Sequence, residues 1–173
     1  MRYNRCMCND VLKGCDLVSR HLHPFMRQIS VTYRCAMRFR EDELADTGLA
    51  GCHTPYLTVL YRQPGISQEE LAQQLDVNKS SVTRQLNVLE EKGYVHRSPS
   101  ATDKRVLLVY PTEKALDIKD RIYRCYRDWS SYLTQDFTDE EQELLSQLMI
   151  RISRRAEAYV KGGDCTCERS DNT

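Results

Sequence analysis

The sequence has no excess of either charge: 25 Lys and Arg balance 25 Asp and Glu across 173 residues. A uniformly basic nucleic-acid coat and an acidic disordered tail are thereby excluded, but a local basic patch is not, because a sum hides asymmetry. No apolar run approaches the roughly 20 residues that a bilayer span needs. The opening residues Met1 to Cys6 are not followed by the apolar stretch of an export signal, so the expected location is the cytoplasm. Internal repeats and low-complexity stretches are absent. So are a Gly-rich phosphate loop, a nucleophile elbow and a metalloprotease helix. The expectation is a binding protein, not an enzyme, and one that requires no cofactor.

What is present is an ordered series of amphipathic segments, in a chain that is 40% hydrophobic and 29% charged. That balance describes a globular protein rich in surface helix. From Cys15 to Phe39 the residues Val18, Leu22, Phe25, Met26, Ile29, Tyr33 and Met37 recur at helical spacing, interrupted only by Pro24. A polar connection over 41–48 leads to a helix from about Pro55 to Arg62, which Pro64-Gly65 stops. Ser67 and Glu70 form a capping box for a short helix through Leu75. Asn78 caps a second helix that runs to Lys92, with Gly93 as its stop. Two alternating segments, 94–98 and 104–110, read as a hairpin with a polar tip. A long helix from Thr112 carries Ala115, Ile118, Ile122, Cys125, Tyr126, Trp129 and Leu133 on one stripe. A last one, opened by Thr138, carries Leu144, Leu145, Leu148, Ile152 and Tyr159.

The expected fold is therefore mainly α: a winged helix-turn-helix lobe with a two-stranded β-wing, flanked by long N- and C-terminal helices. The divisions follow as an N-terminal arm (1–14), a first helix and connection (15–50), the lobe (51–111), the C-terminal helices (112–161) and a tail (162–173). Apolar stripes as long as those of the flanking helices pack against each other or against a second copy of the chain.

The helix-turn-helix carries the chemistry. Leu71, Ala72, Leu75, Val77 and Val82 fall where two helices crossing over a tight turn are apolar. On a wheel of about 100° per residue, Val82, Leu86 and Leu89 of the second helix face inward. Ser80, Arg84, Asn87 and Glu91 lie opposite, with Ser81 and Thr83 flanking. The N-terminal half of such a helix enters the major groove. Ser80 and Thr83 suit bases or phosphates, Arg84 suits guanine, and Gln85 and Asn87 suit backbone or adenine edges. Lys79 stands beside a helix N-terminus that favours an anion. Over 78–105, Lys79, Arg84, Lys92, Arg97, Lys104 and Arg105 outnumber Glu90, Glu91 and Asp103, six against three. This is a basic face on a neutral protein.

At these residues the chain resembles the MarR family, the multiple antibiotic resistance regulators. Gly65 to Ala72, Asn78 to Leu86 and Leu89 to Val95 are similar to its two motif helices. Asp103-Lys104-Arg105 followed by Thr112-Glu113-Lys114 is similar to its wing and the helix beyond, and is the more specific signal. Pro111 departs from the apolar residue usual there. The resemblance, over about 20–160, implies a homodimer built from the first and last helices, with each lobe on half of a palindromic DNA site. It also implies that Arg105 probes the minor groove while Asp103 orients it. A ligand-responsive repressor is the expectation that follows.

Family members respond to phenols, metals or oxidants, so a small-molecule effector is expected without its identity. Tyr33, His53, Tyr56 and Tyr61 are the candidate lining of its cleft. Cys6, Cys8, Cys165 and Cys167 could meet if the terminal helices pair as the family fold implies, holding zinc or forming redox-active disulfides. The alternative, and the default in a reducing compartment, is four terminal thiols without a role. Cys125, on an apolar stripe, reads as a small buried hydrophobe. A winged-helix adaptor that binds protein instead of DNA is the competing class, and it has no need of the Ser80, Arg84, Lys104 and Arg105 surface.

Overall fold

The structure, a computed structural model, describes residues 24–160 and Gly162. The chain divides between Thr54 and Pro55 into two compact units. Among the described residues no helix is long and apolar enough to cross a membrane.

In the first unit, helix α1 (Pro24–Glu43) buries Ala36 and Arg40. Of the expected stripe, Ile29 and Met37 are half-buried and Phe25, Met26 and Tyr33 are exposed, while the small Ala36 is buried. The portion expected over 15–23 lies outside the described residues. The polar connection is not featureless, because it holds two 3-10 turns, Ala45–Thr47 and Gly51–His53. The second packs against α1 so closely that a Cβ on Gly51 would lie 2.3 Å from the Met37 carbonyl oxygen. Only glycine fits there.

The second unit is built around helix α4. Helix α2 (Thr54–Arg62) contributes the buried Leu57 and Leu60. Strand β1 (Ile66–Ser67) leads directly into helix α3 (Gln68–Gln74). The Ser67 hydroxyl accepts from the Glu70 amide at 3.2 Å, and the Ser67 amide donates to the Glu70 carboxylate at 3.0 Å, completing the capping box. The tight turn passes through Asp76 at φ 50°, and helix α4 (Lys79–Glu91) follows. Its end is a Schellman motif: Tyr94 N–H donates to Leu89 O at 2.8 Å and Gly93 N–H to Glu90 O at 2.9 Å. Gly93 supplies the left-handed residue, at φ 75°.

Leu71, Ala72 and Val82 are buried as the helix-turn-helix pattern requires, and Leu75 is half-buried. Val77 is the exception, because it lies in the turn and remains 37% exposed. The inward face of α4 is as the wheel indicates, with Val82, Leu86 and Leu89 fully buried. Leu86→Ala should cost about 2–5 kcal/mol through lost burial and a residual cavity. Urea unfolding should show that loss as a lowered midpoint with little change in slope. An unchanged midpoint would contradict this account of the core.

The wing strands are β2 (Val95–Pro99) and β3 (Leu107–Pro111), antiparallel with Arg97 opposite Val109. The sheet has three strands, not two: β1 joins in the order β1-β3-β2. The wing tip is longer than the pattern indicated. Ser100 N–H donates to Val106 O, and Val106 N–H to Asp103 O, so residues 104–106 belong to the turn. Pro111 closes β3, a strand end where its missing N–H costs no ladder bond.

The helix expected from Thr112 is broken into α5 (Glu113–Asp117) and α6 (Lys119–Leu133). At the break, the Tyr61 hydroxyl donates to the Ala115 carbonyl at 2.6 Å, the acceptor an unbroken helix would offer to Lys119 N–H. Burial, then the nearby Tyr123 and Tyr94, push the ionisation of that hydroxyl upward, so it stays a donor. Ile122 and Cys125 of α6 are buried. Helix α7 (Asp139–Val160) buries none of its residues.

Candidate nucleic-acid interface

The outer face of α4 is built from its cap outward. Asn78 Oδ1 accepts from the Ser81 amide and from the Ser80 hydroxyl, both at 2.7 Å. Ser80 therefore supports the helix start as well as lining it. The Thr83 hydroxyl donates to the Lys79 carbonyl at 3.0 Å. Lys79 Nζ lies 2.7 Å from a Glu69 carboxylate oxygen, with both side chains well exposed. An ion pair so open to water contributes little and yields to a competing phosphate. Arg84 is exposed and has no polar partner among the described residues. Gln85 and Ser81 are half-buried flanks.

The wing brings a second set of cations. Asp103 Oδ1 accepts from the Arg105 backbone N–H at 2.9 Å, so the carboxylate fixes the Arg105 main chain and leaves its guanidinium uncovered. Lys104 and Arg105 are exposed. Lys79 and Thr83 of α4, Gln68 and Glu69 of α3, and Arg105 line one open groove, which brings α4 and the wing together on it. Arg97 does not share this disposition. Its guanidinium is turned onto Glu90 and Asn87 of α4.

The chain is similar to known proteins over this same region. The MarR family model matches residues 54–107. The uncharacterized HTH-type transcriptional regulator YwoH of Bacillus subtilis is 31% identical over 76% of this chain and 93% of its own. The chain belongs to the MarR family. A MarR protein from Peptoclostridium difficile superposes with a TM-score of 0.77 at 25% identity, covering 81% of this chain and 92% of that one. A MarR variant from E. coli in complex with operator DNA gives 0.68 at 26% identity, over 75% and 93%. The protein is thus a MarR-type DNA-binding regulator.

Within a MarR lobe, the residues sequence reasoning singled out only as a hallmark have a mechanical role. The Thr112 hydroxyl donates to the Gly93 carbonyl at 2.7 Å. Lys114 Nζ donates to the Lys92 carbonyl at 2.7 Å and lies 4.4 Å from the Tyr94 ring centre. A cation there satisfies the last carbonyls of α4 and opposes the negative end of its dipole.

The candidate effector residues fall in different settings. Tyr33 is exposed on α1. His53 is buried and accepts from the Ala50 amide at Nδ1, 3.0 Å away. Tyr56 is buried, and Tyr61 is committed to Ala115. Cys6, Cys8, Cys165 and Cys167 lie outside the described residues.

Proposed function

We propose that this regulator is a ligand-responsive repressor that binds a palindromic operator as a homodimer. The observation that carries the DNA part is the open groove that Lys79 and Thr83 of α4 line together with Arg105 of the wing, with the exposed Arg84 next to Thr83 along α4. Arg84 enters the major groove with α4 while Arg105 follows the adjacent minor groove from the wing. The dimer is supported by α7, which has no buried residue and leaves Leu144, Leu145, Leu148, Met149 and Ile150 exposed. That the similar E. coli variant is complexed with operator DNA supports the same geometry. Release by a small molecule follows from the family resemblance. A thermal-shift screen of phenols, metals and thiol oxidants, repeated with operator present, tests it.

The experiment that tests the DNA reading is duplex binding across a salt series. Each phosphate contact releases counterions, so the logarithm of affinity should fall linearly with the logarithm of salt, by about 0.9 per contact. Six or more contacts per dimer should make the fall steep. A shallow or absent salt dependence, with tight capture of a protein instead, would favour the adaptor class.

A further inference from the structure

Arg97 counts toward the basic face by sequence, yet its charge is already taken. Its backbone N–H donates to Glu90 Oε1 at 3.0 Å. Its Nε donates to Glu90 Oε2 at 3.0 Å, and Nη2 reaches the same oxygen. Nη2 also donates to Asn87 Oδ1 at 2.8 Å. Asn87 and Glu90 are three apart on α4, hence neighbours on its surface, whereas Arg97 is the middle residue of β2. The Arg97 side chain is only 18% exposed and that of Glu90 37%. The hydrogen bond from Arg97, ahead of its charge, holds the Glu90 carboxyl below the usual carboxylate range.

These contacts link two elements that must meet DNA together. Arg97 pairs with the buried Val109 at the centre of the β2–β3 ladder, so its position sets that of the whole hairpin, including Arg105 at the tip. Its partners Asn87 and Glu90 sit on α4 three and six residues beyond Arg84. We infer that Arg97 is a positioning residue for DNA recognition: clamped to Glu90 and Asn87, it fixes the wing to the recognition helix so that Arg84 and Arg105 approach DNA at one set spacing. This inference rests on the DNA-binding reading above. It differs from a phosphate contact in one respect that can be measured, because a clamp releases no counterions.

The test uses the full chain and a duplex enriched on it from a random-sequence pool. Arg97→Gln should weaken binding about tenfold, the scale of a lost charged hydrogen bond, with an unchanged salt slope. Arg105→Gln should lower the slope by about one per subunit. Glu90→Gln should also weaken binding, although it removes negative charge from the basic face. The exchange of partners in Glu90→Arg/Arg97→Glu should recover affinity at the original slope. In the DNA-free chain, amide hydrogen exchange over residues 95–111 should quicken in Arg97→Gln while the buried amides of α4 stay protected. A slope reduced by Arg97→Gln, tighter binding by Glu90→Gln, or unchanged affinity and wing exchange in both would overturn the inference. If the unaltered chain enriches no duplex, the DNA reading itself fails, and the exchange measurement still reports whether the clamp exists.

Discussion

Leu145→Glu combined with Leu148→Glu should leave the chain monomeric and reduce operator affinity by about a thousandfold or more, the gap between specific and non-specific binding. Both residues lie on α7, which offers Leu144, Leu145, Leu148, Met149 and Ile150 to solvent at exposures of 39–55%. An apolar surface of this extent on a helix with no buried residue is the mark of an association face. In a two-fold dimer each substitution appears twice, so the new carboxylates would confront one another or desolvate against apolar neighbours. Loss of the dimer removes the second half-site, and a single lobe cannot hold a palindrome. Sedimentation should place the unaltered chain at twice its 20.2 kDa mass and the variant at that mass. An unaltered chain that sediments as a folded monomer would remove the basis of the proposal, as would a variant that remains dimeric.

Arg84→Ala should cost about 1–3 kcal/mol per half-site and relax preference at one base position in each. The reasoning is electrostatic as well as geometric. Arg84 meets DNA without first breaking an intramolecular ion pair among the described residues, so its full interaction is available to a base edge. Lys79→Ala provides the contrast. That side chain exchanges Glu69 for phosphate, so its loss should be smaller and the same for every sequence. Enrichment profiles of the two variants, taken at one salt concentration, separate these effects. Equal losses with unaltered base preference would move Arg84 from base reading to backbone contact.

What could be read from the sequence is what short-range chemistry determines. The Ser67–Glu70 box, the Asn78 cap and the Gly93 stop each lie within a few residues of the groups they satisfy, so spacing reveals them. The inward face of α4 is legible because helical period alone assigns Val82, Leu86 and Leu89 to one side. The misses come from partners distant along the chain. Strand β1 is two residues long and exists through pairing with β3, some forty positions on. The break at Ile118 is accompanied by a hydroxyl from Tyr61, 54 residues before its acceptor Ala115. Arg97 looked like a DNA contact because a charge sum does not show that Glu90 and Asn87 hold it.

The ladder between β2 and β3 also restricts how this wing can vary. Its five residue pairs run from Val95–Pro111 to Pro99–Leu107, and the Ser100–Val106 hydrogen bond closes the tip beyond them. Side chains alternate between faces, so one residue added to a single arm would invert every position beyond it. Two residues added to each arm would preserve the faces and carry Arg105 outward by about 7 Å. Wing length is therefore quantised. In longer or shorter wings of this design the tip should stand out in discrete steps of about 7 Å, and not along a continuum.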